Sequence, residues 1–124
     1  MLSLAGSLRV FVCAQPADMR RSFDGLCGMV EQIVQEDPLA GHLFVFRNRN
    51  RDRLKILYWD RDGLAIWYKR LEAGTWQLPT DVNAAADGVV SAEITTEELS
   101  LLLGGIDLRT VERRRRYQRL RKAR

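Results

Sequence analysis

The residues best equipped for chemistry in this chain are basic, and they fall in two blocks. Between Arg47 and Glu72 stand Arg47, Arg49, Arg51, Arg53, Lys55, Arg61, Lys69 and Arg70 against Asp52, Asp60, Asp62 and Glu72, a local excess of +4. From Arg109 to Arg124 nine basic residues oppose one acid, Glu112, for an excess of +8. The 124-residue chain is only +4 in total, so everything outside these blocks sums to −8. Charge segregated in this way describes a surface for a polyanion better than the overall balance does. Arginine in particular matches phosphate geometry with two parallel N–H donors.

Other chemistries find less support. Asp60-x-Asp62, with Asp18 and Asp107 elsewhere, offers carboxylates of the kind that hold Mg²⁺ for phosphodiester cleavage. The same residues suit turn and cap duty, and no third acid stands at a readable spacing, so turn chemistry is the preferred reading. His42 precedes an apolar run and reads as structural rather than as a general base. Cys13 and Cys27 with a single histidine fall short of a four-ligand zinc site and read as reduced core residues. Ser3, Ser7 and Ser22 lie in no nucleophile motif. No catalytic residue, metal or cofactor is expected.

The elements that must position the basic groups can be read from periodicity. Leu8–Cys13 is short, β-branched and apolar, as a strand is. Asp18 is a good N-cap, and Met19, Phe23, Leu26, Cys27, Val30, Ile33 and Val34 then form one helical stripe. From Leu43 the period drops to two. Leu43–Phe46, Arg53–Trp59 and Leu64–Leu71 read as strands, with a turn at Asp60-Arg61-Asp62-Gly63. Thr75–Leu78 reads as a short fourth strand stopped by Pro79. Residues 80–88 look like a linker, and Val89–Ile94 like a last edge strand. Thr95 and Glu98 form a capping-box pattern ahead of Leu99, Leu102 and Leu103, with Gly104 as the stop. Short strands with short connections imply a meander. The expected fold is therefore α+β: an antiparallel meander of about four to five strands, one N-terminal helix packed on it, and a short C-terminal helix. Residues 1–108 form the domain; residues 109–124 form an Arg-rich tail, disordered or marginally helical until it meets a partner.

If Asp60–Gly63 forms a four-residue connection, or a two-residue turn with the same faces, a register follows that an odd loop would break. Trp59 opposes Leu64, Leu57 opposes Ile66, Lys55 opposes Tyr68, and Arg53 opposes Arg70, all on one face. The hairpin end away from the turn thus groups three cations with an aromatic ring. That combination suits phosphate contact plus base or sugar stacking. The competing reading is a solvated sheet face with Tyr68 half-buried. Trp59, Trp67 and Trp76 are mostly core, with Trp67 on the opposite side beside Leu54, Ile56 and Tyr58.

Gly41–Arg49, Leu54–Asp60, Asp62-Gly63, Trp67–Gly74, Trp76 and Pro79, with Asp18-Met19-Arg20 upstream and Leu101–Asp107 downstream, form an ordered series. Over residues 8 to 108 the chain resembles the second-open-reading-frame accessory proteins of insertion-sequence family sixty-six. Ala65-Ile66 and Thr75 depart slightly from the family pattern. The resemblance implies a bacterial, non-catalytic protein of transposition, acting beside a separate and larger transposase. It brings no established catalytic residues.

Together these readings nominate Arg47, Arg49, Arg51, Arg53, Lys55, Tyr68, Lys69 and Arg70, and in the tail Arg113, Arg114, Arg115, Arg116, Arg119 and Arg121, as the nucleic-acid-binding set. Expected partners are DNA, at element ends or nonspecifically, and the transposase of the same element. The alternative is an adaptor whose basic groups meet an acidic face of the transposase. A homo-oligomer is left open. No window approaches the roughly 18 apolar residues a membrane span needs, and Met1–Val12 lacks a basic leader, so the cytoplasm is expected.

Overall fold

A computed structural model of the chain describes residues 8–78, 88–105 and 120–122. The elements are β1 (Val10–Cys13), α1 (Phe23–Met29) continued by a π-helical turn (Val30–Val34), β2 (Leu43–Arg47), β3 (Arg53–Asp60), β4 (Gly63–Arg70), β5 (Val89–Ile94), α2 (Thr96–Leu103) and β6 (Leu120–Lys122).

The fold is α+β, but the sheet is mixed and its order is β4-β3-β2-β1-β5-β6. β1 and β2 run parallel, with Phe11 beside Phe44. A parallel pair needs a crossover of a dozen residues or more, and the segment carrying α1 supplies it. The expected meander therefore holds only for β2-β3-β4. β5 returns antiparallel to β1, with Phe11 opposite Glu93. It is also flanked by β6, so Val89–Ile94 is an interior strand rather than an edge. Leu120–Lys122 corrects the reading of the tail at those three residues, which form a strand.

Both faces of the sheet are covered. Phe11, Cys13, Phe44, Phe46 and Leu57 pack with Leu26, Met29, Val30 and Val34 beneath α1. Val10, Val12, Leu43, Val45, Leu54 and Ile56 pack on the other face with Leu99 and Leu102 of α2 and with Trp76 and Leu78. Strands apolar at every position, such as Val-Phe-Val-Cys and Leu-Phe-Val-Phe, are what two-sided burial requires.

Three elements differ from expectation. The helix starts at Phe23 instead of after Asp18. Asp18 caps only a local turn, its carboxylate accepting the Arg20 N–H at 2.9 Å. The Lys55 ammonium donates to the carbonyls of Met19 and Arg21, each at 2.8 Å. Those carbonyls thus point at the sheet instead of along a helix axis. Thr75–Leu78 is no strand. Its Trp76 N–H donates to the Arg51 carbonyl at 2.8 Å, which straps the segment across the β2–β3 turn. At α2 the capping box is complete, Thr95 Oγ1 accepting from Glu98 N–H and Glu98 Oε1 from Thr95 N–H. There the left-handed stop is Gly105, at φ 89°, one residue beyond Gly104. The expected linker lies almost wholly outside the described residues.

Candidate nucleic-acid interface

The β3–β4 hairpin has the register that its turn demands: Asp60 opposite Gly63, Lys55 opposite Tyr68, Arg53 opposite Arg70. Four predicted residues therefore share one face. They do not share one role. Tyr68 is 46% exposed, while Lys55 is only 7% exposed. The Lys55 ammonium lies 4.7 Å from the Tyr68 ring centre and is held by the two carbonyls above. Lys55 is thus a correction to the predicted binding set, since it pins the loop before α1 and is turned away from solvent. Arg53 Nη1 donates to the Tyr68 hydroxyl at 3.3 Å. Arg70 is bridged to Glu72 at 2.8 Å, which raises its pKa.

Arg47 and Lys69 lie on the opposite face. Both are held near Trp76: Arg47 Nη1 donates to its carbonyl at 3.2 Å, and Lys69 Nζ sits 5.9 Å from its ring. Arg47 is half-buried. Desolvation, followed by the nearby positive charge of Arg51, lowers its pKa to about 10, still well above neutrality. Lys69 is exposed.

Arg49 and Arg51 project from the β2–β3 turn, and both are exposed. This turn is built with care. Asn48 Oδ1 accepts the Arg53 N–H at 3.0 Å, and Asn48 Nδ2 donates to Asp52 at 2.6 Å. The Asp52 carbonyl takes the Leu71 N–H at 2.7 Å. Arg51 itself is left-handed, φ 63°, a conformation that L-residues other than Asn and Asp seldom adopt. Facing the turn across a shallow depression is the loop of Ala17–Arg20; Arg20, Arg49 and Arg53 line it with Asp18, Asn48 and Asp52. Arg20 is clamped to Asp18 at 2.6 Å. The side-chain bond from Arg20, then its backbone N–H, draws the Asp18 pKa down to about 2.

Three features of this surface were not read from the residues: Asn48 as its organiser, Arg51 in a strained conformation, and Arg20 on the opposite wall. The Asn48-x-x-x-Asp52 spacing is a usable turn signal for the first; nothing local marks the other two. Arg113, Arg114, Arg115, Arg116 and Arg119 lie outside the described residues. Arg121 lies in β6.

Residues 8–113 match the family described as IS66 Orf2 like protein. The chain belongs to the IS66 Orf2-like family. That makes it a transposition-associated accessory protein of an insertion sequence. Among curated proteins it is similar to "Uncharacterized protein y4jC" of Sinorhizobium fredii, 37% identical over 114 residues that cover 92% of each chain. It is also similar to "Uncharacterized protein y4hO" of the same organism, 36% identical over 109 residues, 88% of this chain and 90% of the relative. No solved structure matches. The shared stretch, residues 8–113, takes in the whole of the hairpin, the β2–β3 turn and the Ala17–Arg20 loop. No described helix is long and apolar enough to cross a membrane.

Proposed function

We propose that this IS66 Orf2-like protein serves transposition without catalysis, by binding nucleic acid through Arg49, Arg51 and Arg53 at the open end of the sheet and through the tail arginines Arg113–Arg116, Arg119 and Arg121. One observation supports the reading: Arg49 and Arg53 line one depression with Arg20 on the facing wall, beside a turn that Asn48 ties to Asp52 and to the Arg53 N–H. Braced cations meet phosphates with little loss of side-chain and loop freedom. Nothing in the turn reads bases, so the folded domain contributes position and charge more than sequence preference. Arg47 and Lys55 serve as scaffold beneath this surface.

The test is a salt titration of binding to element-end and scrambled DNA. The full chain is compared with Arg49→Gln/Arg51→Gln/Arg53→Gln and with Arg113–Arg116 all changed to Gln. Truncation after Leu108 is the poorer comparison because it deletes β6. Every phosphate that a variant no longer neutralises should flatten the log–log salt slope by about 0.9. An unchanged slope in the turn variant overturns the reading of the turn.

A second reading has its own observation. Asp18, Asp52 and Glu72 interleave with the arginines, and two of those acids already hold Arg20 and Arg70. Such a mixed surface also fits a protein partner such as the transposase. In that case the turn variant loses transposase capture while its DNA affinity stays unchanged.

A further inference from the structure

β4 closes the sheet on one side, and among the described residues nothing pairs with its outer edge. Eight residues run in unbroken register with β3, with no proline and no bulge. Proteins usually blunt so long an edge, because its free N–H and C=O groups template a further strand. The two-residue turn makes Asp60 and Gly63 a hydrogen-bonded pair, so Leu64, Ile66 and Tyr68 direct their backbone groups outward. Lys69 and Arg70 are the sort of charge that guards an edge. Lys69, however, stands over the sheet toward Trp76.

We propose that β4 is the interface for a second copy of this chain, whose own β4 adds antiparallel about a two-fold axis through Ile66 and continues the sheet. The occupant follows from charge. At one end of β4 the turn carries Asp60 and Asp62 around Arg61, a net −1, and at the other end stand Lys69 and Arg70. Antiparallel pairing sets each acidic turn against the other copy's basic end, whereas parallel pairing would set like against like. A two-fold axis normal to the sheet keeps faces matched, so only same-face residues pair. Centred on Ile66, the register places Leu64 against Tyr68 and Asp62 against Arg70 of the second copy. Slipping it by two residues sets Asp62 against Glu72 or against Tyr68, losing the ion pair either way. The chosen register also covers Tyr68, the most exposed aromatic of the hairpin at 46%. The Glu72 bridge to Arg70 is solvent-exposed and exchanges readily for Asp62.

Sedimentation velocity of the full chain over a concentration series should show a reversible dimer. Arg70→Asp and Asp62→Arg should each weaken it by about tenfold or more, because each sets like charges opposite one another twice per dimer. The double variant should return within a few-fold of the unmodified chain. Amide exchange on the unmodified chain gives a second arm: protection at Leu64, Ile66 and Tyr68 should rise with concentration. A chain that stays monomeric, a dimer indifferent to both reversals, or edge amides whose exchange ignores concentration overturns the proposal. The variant Arg49→Gln/Arg51→Gln, which keeps Arg53 and its bond to Tyr68, should leave dimerisation unchanged, which separates this outcome from that of nucleic-acid binding.

Discussion

Lys55 shows how a side chain of the expected type can take an unexpected part. Its charge is satisfied by two backbone carbonyls and a tyrosine face, so removing it leaves two carbonyls without their donor. Lys55→Met keeps the volume and should still destabilise the domain by about 1–3 kcal/mol in urea unfolding, with DNA affinity per folded molecule little changed. Arg51 behaves in the opposite way. Its left-handed backbone is strained for any residue with a Cβ. Arg51→Gly should leave stability unchanged or raise it by up to about 1 kcal/mol, while weakening DNA binding and flattening its salt slope. A loss of stability would show that the arginine side chain braces the turn. Asp18 yields a pH prediction. The Arg20 guanidinium depresses its folded pKa to about 2, below the unfolded value near 3.9. Its contribution to stability is therefore fully present above that unfolded value and is lost as pH falls through about 2. A carboxyl titration by NMR should place its midpoint near 2, and Arg20→Ala should raise it while leaving it below an ordinary aspartate, because the backbone N–H bond remains.

Among the elements, the β2–β3 turn and α2 rest on single residues. Asn48→Ala removes the acceptor for Arg53 N–H and the donor to Asp52. It should cost about 1–3 kcal/mol and lower nucleic-acid affinity in the same variant, since the arginines lose their frame. If stability falls but affinity does not, the turn's rigidity is irrelevant to binding. α2 is only eight residues long, too short to persist without caps and packing. Thr95→Ala should therefore destabilise the protein by about 1 kcal/mol, measured as a shift in denaturation midpoint at constant slope. The delayed start of α1 has a tertiary cause. Residues 19–22 have helical spacing, but Lys55, 34 residues beyond Arg21, captures the carbonyls that would have continued the turn.

At the scale of the whole molecule, the hairpin organises two different surfaces. The β2–β3 turn carries exposed arginines, and β4 is an edge strand with no partner on its outer side among the described residues. In the inferred dimer both copies turn the same sheet face to the same side. Eight residue steps separate the two Arg70 positions along the paired strands, roughly 26 Å at about 3.3 Å per residue. Two basic turns held at a fixed distance would bind one DNA more tightly than two free copies. A chain that dimerises should therefore lose DNA affinity in Arg70→Asp beyond the effect of the two-unit charge change at that position, and regain it in Arg70→Asp/Asp62→Arg.

Local sequence was enough for the β3–β4 register on the supposition of an even connection at Asp60–Gly63, and the pairing of Asp60 with Gly63 bears that out. It was also enough for β1 and β2 as buried strands, for the α2 capping box, and for family membership through an ordered series of motifs. Sheet order was not local. Val10–Cys13 and Leu43–Arg47 are apolar on both faces, which demands two covering layers, but nothing in either stretch states that they pair in parallel around a crossover. The place of each cation was equally beyond reach. Arg47 and Lys55 have the composition of a binding surface, yet the Trp76 carbonyl and the carbonyls of Met19 and Arg21 take them up from 29 to 36 residues away. Charge is written in the residue type; whether it faces solvent depends on which distant polar atoms the fold brings within hydrogen-bonding reach.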